Sequence, residues 1–129
     1  MKILKTILIL LLSTNLYSDK VYFINLQNGD VLKSPFLVQF GLSGKGVAPA
    51  GVEVPNTGHH HLLINIDELN FKMPIPSSKQ HLHFGMGQTE TTLDLPAGKH
   101  KLQLILGDKY HIPHNPPLAS EVIEVTVIE

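Results

Sequence analysis

Glycine and proline interrupt this chain so often that only short elements of secondary structure can form between them. The 129 residues include 10 glycines and 9 prolines, and none of them precedes Gly29. Both residue types disfavour a helix interior, proline because it lacks a backbone donor and glycine because it loses the most conformational freedom. Beyond residue 18, no stretch keeps a helical period of apolar residues. The chain is therefore predicted to be all-β.

Seven short runs have the composition or the alternation of β-strands. In one of them Leu102 and Leu104 share a face while Gln103 points the other way, because successive side chains of a strand alternate between its two faces. Both leucines are predicted to lie in the core. The seven predicted strands are 21–25, 36–43, 59–66, 81–84, 89–95, 100–106 and 121–128. Seven strands separated by turn residues predict a sandwich of the immunoglobulin or fibronectin-III type.

The first eighteen residues have the pattern of a signal peptide. Lys2 and Lys5 form a basic start, residues 7–12 are all apolar, and Ser18 is a small residue suited to a cleavage site. The apolar run is far shorter than the ~20 residues of a membrane-spanning helix, so no span is expected after cleavage. An uncleaved membrane anchor is the alternative. We predict a signal peptide over 1–18, one domain over 19–129, and a periplasmic or otherwise exported protein.

Composition excludes several classes of function. The chain contains no cysteine, so disulfides, thiolate chemistry and a lipoprotein anchor are ruled out. It contains no arginine, and the lysines beyond residue 18 number 8 (10 minus Lys2 and Lys5) against 11 acidic residues. Residues 19–129 therefore have a net charge of −3 (8 minus 11), which argues against nucleic-acid binding. No nucleophile or phosphate-loop motif is present, and no catalytic residue is assigned.

The eight histidines carry the strongest functional signal. In a His-x-His strand both imidazoles face the same way, and neutral imidazole is a common ligand of zinc and copper. If the strands run alternately up and down, three histidine groups meet at one end of the sandwich, on its outer face. The predicted metal ligands are His59, His61, His81, His83, His111 and His114. Scattered hydrogen-bonding roles are the alternative for all six.

Five other residues have two interpretations or a structural one. Met86 is a possible additional ligand or a simple loop residue, and Glu90 and Asp108 either orient imidazoles from behind or cap turns. Leu62, Ile64 and Ile66 are predicted to face the core, and His60 lies an even number of residues from each of them, on the same face of the strand. It is therefore predicted to be a histidine at the core edge with a hydrogen-bond partner. His100 belongs to the opposite end of the sandwich, where it is predicted to bond the backbone of a corner.

The chain also resembles an uncharacterised bacterial family, domain of unknown function 4399. The resemblance lies in Gly46-Val-Ala-Pro-Ala-Gly, Asn56-Thr-Gly-His-His-His-Leu-Leu-Ile, His83-Phe-Gly-Met-Gly-Gln-Thr-Glu, and Gly107-Asp with His111-Ile-Pro-His114-Asn-Pro-Pro. It implies a small exported domain and supplies no activity. A shorter resemblance, to copper–zinc superoxide dismutases, covers only His81-Leu-His83-Phe-Gly and predicts no dismutase activity.

Three functions are compatible with these observations. The first is an exported domain that binds copper or zinc for metal handling rather than for turnover. The second is a non-catalytic recognition module whose histidine-rich loops bind a protein or a cell-envelope ligand. The third is a small copper or zinc enzyme.

Overall fold

The structure, a computed structural model, describes residues 18–129, which form nine strands joined by loops. The predicted signal peptide lies, except for Ser18, outside these residues. Among residues 18–129 no helix has the length and apolar character that crossing a membrane requires. The strands are β1 (Lys20–Phe23), β2 (Val31–Lys33), β3 (Phe36–Ser43), β4 (Gly46–Val47), β5 (Thr57–Ile64), β6 (His81–His83), β7 (Glu90–Leu93), β8 (Gly98–Gly107) and β9 (Ile123–Ile128).

The strands form two sheets. The smaller has the order β1-β3-β7, and the larger has the order β2-β9-β8-β5-β4, with β6 also paired to β5. The all-β prediction is confirmed, but the predicted number of seven strands is wrong. The two additional strands, β2 and β4, have three and two residues and pair in parallel with β9 and β5. Segments this short carry no alternation that a sequence pattern could reveal.

The two sheets enclose a common apolar core. Val38 and Phe40 contribute to it from β3, and Leu62 and Val125 contribute from the larger sheet. Leu102 and Leu104 of β8 are fully buried in the same core, as predicted. Side chains at every second position of β3, β8 and β9 therefore face the common core, which is the arrangement that alternation predicts.

The outer face of the larger sheet is covered rather than open. Leu63 of β5 and Ile105 of β8 point away from the main core and pack against Ile75, which lies in the connection between β5 and β6. Ile66 packs against this second cluster, so its predicted place in the main core is wrong. The strand ends at Ile64, and the φ of 56° at the next residue, Asn65, interrupts the alternation. The covering connection therefore buries part of the face that was predicted to be the outer face of the sandwich.

Candidate metal centre

Four imidazoles converge on the outer face of the larger sheet. His59 and His61 extend from β5, His83 extends from β6, and His111 lies in the loop after β8. The Nε2 atoms of His59 and His61 are 2.9 Å apart, and those of His83 and His111 are 3.1 Å apart. The distances between ring centroids range from 4.7 to 5.9 Å over all six pairs. We call these four residues the histidine cluster.

Strand alternation and register build the cluster. His59 and His61 are two positions apart on β5 and therefore share a face. In the antiparallel pairing of β5 with β6, His61 lies opposite His83. On the other side of β5, His59 lies opposite Gly107, the last residue of β8. The loop that carries His111 thus begins directly beside His59.

Two glycines leave room for the rings. A Cβ atom on Gly107 would lie 2.9 Å from Nε2 of His61. A Cβ atom on Gly85 would overlap the ring of His83. The backbone therefore approaches both imidazoles more closely than any other residue type would permit.

Burial keeps the imidazoles of β5 neutral. Burial, followed by the proximity of the neighbouring histidines, lowers the pKa of His59 to about 4 and the pKa of His61 to about 3. Burial, followed by the proximity of His111, also lowers the pKa of His83. A metal ion binds an imidazole only in its neutral form, so these rings are in the state that coordination requires.

The cluster is closed on one side and open on the other. His59 and His61 are 1% and 0% exposed, whereas His83 is exposed and His111 is half-buried. The Nδ1 atoms of His59 and His61 have no hydrogen-bond partner among the described residues. A cation would thus have a buried pair of ligands beneath it and a solvent-facing pair above it.

The nitrogens of three of the four histidines lie close enough together for a single ion. One ligand atom from each of His59, His61 and His83 can be chosen so that all three lie within 4.8 Å of one another. Two nitrogens at about 2.1 Å from a tetrahedral zinc ion are about 3.4 Å apart. The close nitrogen pairs, at 2.9 and 3.1 Å, therefore need to separate by only a few tenths of an ångström.

The structure does not bring the other two predicted ligands into the cluster. His81 lies opposite Leu63, and its Nδ1 atom is 2.9 Å from the hydroxyl of Ser78. His114 lies beside Gly58, where a Cβ atom would be 2.8 Å from its Nε2 atom. His114 lines, together with His59, a neighbouring cavity of about 420 Å³.

The residues predicted to assist the ligands have other positions. The side chain of Met86 is 84% exposed. Glu90 belongs to β7 in the smaller sheet, where its carboxylate accepts a hydrogen bond from Gln39. The Oδ1 atom of Asp108 accepts hydrogen bonds from the backbone N–H groups of Tyr110 and Ile112. Of the two roles considered for Asp108, the turn cap is the one observed.

The remaining two histidines are structural. His60 is 0% exposed and packs against Phe40 with ring centroids 5.2 Å apart, which confirms its core position. The hydrogen-bond partner predicted for it is wrong, because neither of its ring nitrogens has one among the described residues. His100 is confirmed as a corner residue, since its Nε2 atom lies 2.8 Å from the carbonyl oxygen of Pro96.

One residue of this region escaped the sequence analysis. The backbone N–H of Ile75 donates a hydrogen bond of 2.8 Å to the carbonyl oxygen of His111. Its only sequence signal is a β-branched residue between Pro74 and Pro76, in a connection that also contains Leu69, Phe71 and Met73. A single apolar residue between two prolines does not indicate what it packs against.

Comparisons with known proteins give one family and one structural neighbour. The family model described as "Domain of unknown function (DUF4399)" matches residues 38–128, a range that contains the whole histidine cluster. Comparison with curated proteins finds no match. The structure of an endo-beta-1,4-mannanase from Thermotoga petrophila is similar with a TM-score of 0.52 and 17% identity, over 89% of this chain and 21% of the mannanase chain. The chain thus corresponds to about a fifth of that protein, and the likeness concerns the fold alone.

Proposed function

The chain belongs to the family described as a domain of unknown function, DUF4399, and we propose that it binds copper or zinc through His59, His61, His83 and His111. The observation that carries the proposal is the convergence of four imidazoles with their Nε2 atoms in close pairs. A neutral imidazole has one donor and one acceptor nitrogen. Without a metal, one imidazole of each close pair can donate an N–H···N hydrogen bond to the other. When all four Nε2 atoms present their lone pairs instead, a metal ion can bind them together.

The ligand set favours copper or zinc among the biological metals. Imidazole nitrogen suits both ions, whereas calcium and magnesium prefer oxygen ligands. Copper is bound more tightly than zinc at a site of given ligands, although supply decides which ion a protein carries. The site combines two buried ligands with two accessible ones, which suits reversible uptake and release. This arrangement supports metal handling rather than turnover.

Export and the finer fold assignment belong to the same proposal. Residues 1–18 have the pattern of a signal peptide, and the chain would act in the periplasm or another exported location. The division of strands into β1-β3-β7 and β9-β8-β5 supports an immunoglobulin-like sandwich over 19–129. An exported protein without cysteine offers histidine as its main ligand for soft or borderline metals.

A recognition module is the second candidate, and the cavity beside the cluster favours it. The cavity of about 420 Å³ is lined by Val52, Val54 and Tyr110 as well as by His59 and His114. Apolar walls with a few polar groups are typical of sites for small ligands. In this alternative the histidine-rich loops would bind a protein or a cell-envelope ligand without a metal.

Two histidines of the same short strand provide a matched test. Protein purified without a polyhistidine tag is titrated calorimetrically with Cu²⁺ and with Zn²⁺. His83→Gln removes a ligand and should weaken binding at least tenfold, equivalent to about 1.4 kcal/mol. His81→Gln, two residues away and bonded to Ser78, should leave the affinity unchanged.

Thermal unfolding provides a second measurement on the same proteins. Metal at a hundred times its dissociation constant should stabilise the wild type by about 2.7 kcal/mol. If the wild type binds neither metal more tightly than an unstructured peptide with the same number of histidines, the metal proposal is wrong. The recognition module would then be the better description.

A further inference from the structure

His111 has a backbone conformation that needs external support. Its φ of 66° lies in the left-handed region, which residues other than glycine rarely adopt. Such a conformation persists only where the surrounding structure holds it. Because His111 is the one cluster residue in a loop, its backbone decides whether its ring reaches the other three.

Asp108 holds this loop from within. Its Oδ1 atom accepts hydrogen bonds from the N–H groups of Tyr110 and Ile112, at 2.8 and 3.0 Å, one on each side of His111. The carbonyl oxygen of Asp108 accepts a further bond of 2.9 Å from the N–H of His111. One carboxylate oxygen therefore fixes the backbone on both sides of the ligand.

Ile75 holds the same loop from outside. Its N–H donates to the carbonyl oxygen of His111 at 2.8 Å, and its side chain is 5% exposed in the cluster with Leu63 and Ile105. Leu63 belongs to β5, the strand that carries His59 and His61. The apolar contact thus ties the loop of His111 to the strand that holds the buried ligands.

We propose that Asp108 and Ile75 are positioning residues, which hold the imidazole of His111 against the other three histidines and so complete a four-nitrogen site. The consequence for metal coordination rests on the proposed function. The placement of the ring does not, because it is a property of the metal-free protein. Asp108 acts through its oxygen as an acceptor, so an amide oxygen at the same position should replace it.

The placement is tested by NMR on the metal-free protein. Nuclear Overhauser contacts between the ring of His111 and the rings of His83 and His59 are expected, since the centroids are 4.7 and 5.0 Å apart. Asp108→Ala should lose these contacts and Asp108→Asn should keep them. Asp30→Ala is the matched control, because Asp30 also accepts a backbone bond, from Gln27, in a different loop. Contacts that survive in Asp108→Ala would overturn the proposal.

Ile75→Ala tests whether the apolar contact of Ile75 also positions His111, and this test does not depend on whether Asp108→Ala folds. It should lose the same contacts, whereas Leu69→Ala, at the margin of the same apolar cluster, should keep them. If the nuclear Overhauser contacts of the His111 ring are the same in these two variants, the proposed role of Ile75 is wrong.

Electron paramagnetic resonance of added Cu²⁺ tests the consequence for coordination. The wild type and Asp108→Asn should show four nitrogen ligands, and Asp108→Ala should show three. A wild type that binds no Cu²⁺ and no Zn²⁺ would disprove the proposed function, while the NMR contacts would still decide the positioning role. A four-nitrogen signal in Asp108→Ala would disprove the positioning role alone.

Discussion

His59 and His61 are polar residues in a place from which water is excluded. Burial is the main reason that their pKa values fall to about 4 and about 3. Each ring is then neutral throughout the physiological range, which removes a proton as a competitor for the ligand nitrogen. Burial of these side chains thus prepares them to bind a cation.

Proton release on metal binding should reflect these lowered pKa values. At pH 5.5 a histidine with the reference pKa of about 6.5 is protonated about ten to one, and a metal must displace that proton. His59 and His61 are already neutral at this pH and release none. Calorimetry in buffers of different ionisation enthalpy should therefore detect fewer protons per bound ion than for a peptide with four ordinary histidines. Equal proton release from the two would contradict the burial of the site.

At the scale of elements, β8 joins the two apolar clusters of the molecule. Leu102 and Leu104 face the main core, while Ile105 faces the second cluster beneath Ile75. The same strand pairs with β5 along the register that places Gly107 opposite His59. Packing of β8 therefore supports both the fold and the start of the loop that carries His111.

Truncation of the central leucine of β8 should destabilise the protein strongly. Leu104 is 0% exposed, and Leu104→Ala should lower the free energy of unfolding by about 2–5 kcal/mol. Lys99→Ala in the same strand should cost less than about 1 kcal/mol, because its ion pair with Glu124 is exposed to solvent. Urea unfolding of both variants measures the difference. A Leu104→Ala variant as stable as the wild type would show that β8 is not central to the core.

At the scale of the whole molecule, three consecutive buried histidines link stability to pH. His59, His60 and His61 all lie in the folded interior, and burial lowers the pKa of His60 to about 4. In the unfolded chain each histidine regains a pKa of about 6.5. Between these values the unfolded state binds protons that the folded state does not, so a fall in pH favours unfolding.

Stability of the metal-free protein should consequently decrease from about pH 6.5 towards pH 4. Each of the three histidines contributes up to about 1.4 kcal/mol per pH unit within that window. Urea unfolding at pH 7, 6 and 5 measures the slope. His60→Phe, which keeps an aromatic ring against Phe40, should reduce the slope without removing it. A stability that is constant over this range would mean that the histidines are not neutral in the folded state.

Local chemistry alone determined the strand faces and most of the core. Alternation along a strand is a property of its own backbone, so the shared face of His59 and His61 and the burial of Leu102 and Leu104 were predictable from spacing. Only the tertiary structure decided which of the other histidines join them. His81 and His83 share a face, and parity cannot choose between them; the hydrogen bonds between β5 and β6 place His83 opposite His61.

The loop histidines were decided in the same way, by contacts between residues far apart in the chain. The sequence predicted both His111 and His114 as metal ligands and offered no reason to prefer one. In the structure, hydrogen bonds with Asp108 and Ile75 support the backbone of His111 and direct its ring into the cluster. Ile75 also covers part of the outer face of the larger sheet, where it packs against Leu63 of β5 and Ile105 of β8. Register and loop packing arise from such distant contacts, which the spacing of residues along one segment does not encode.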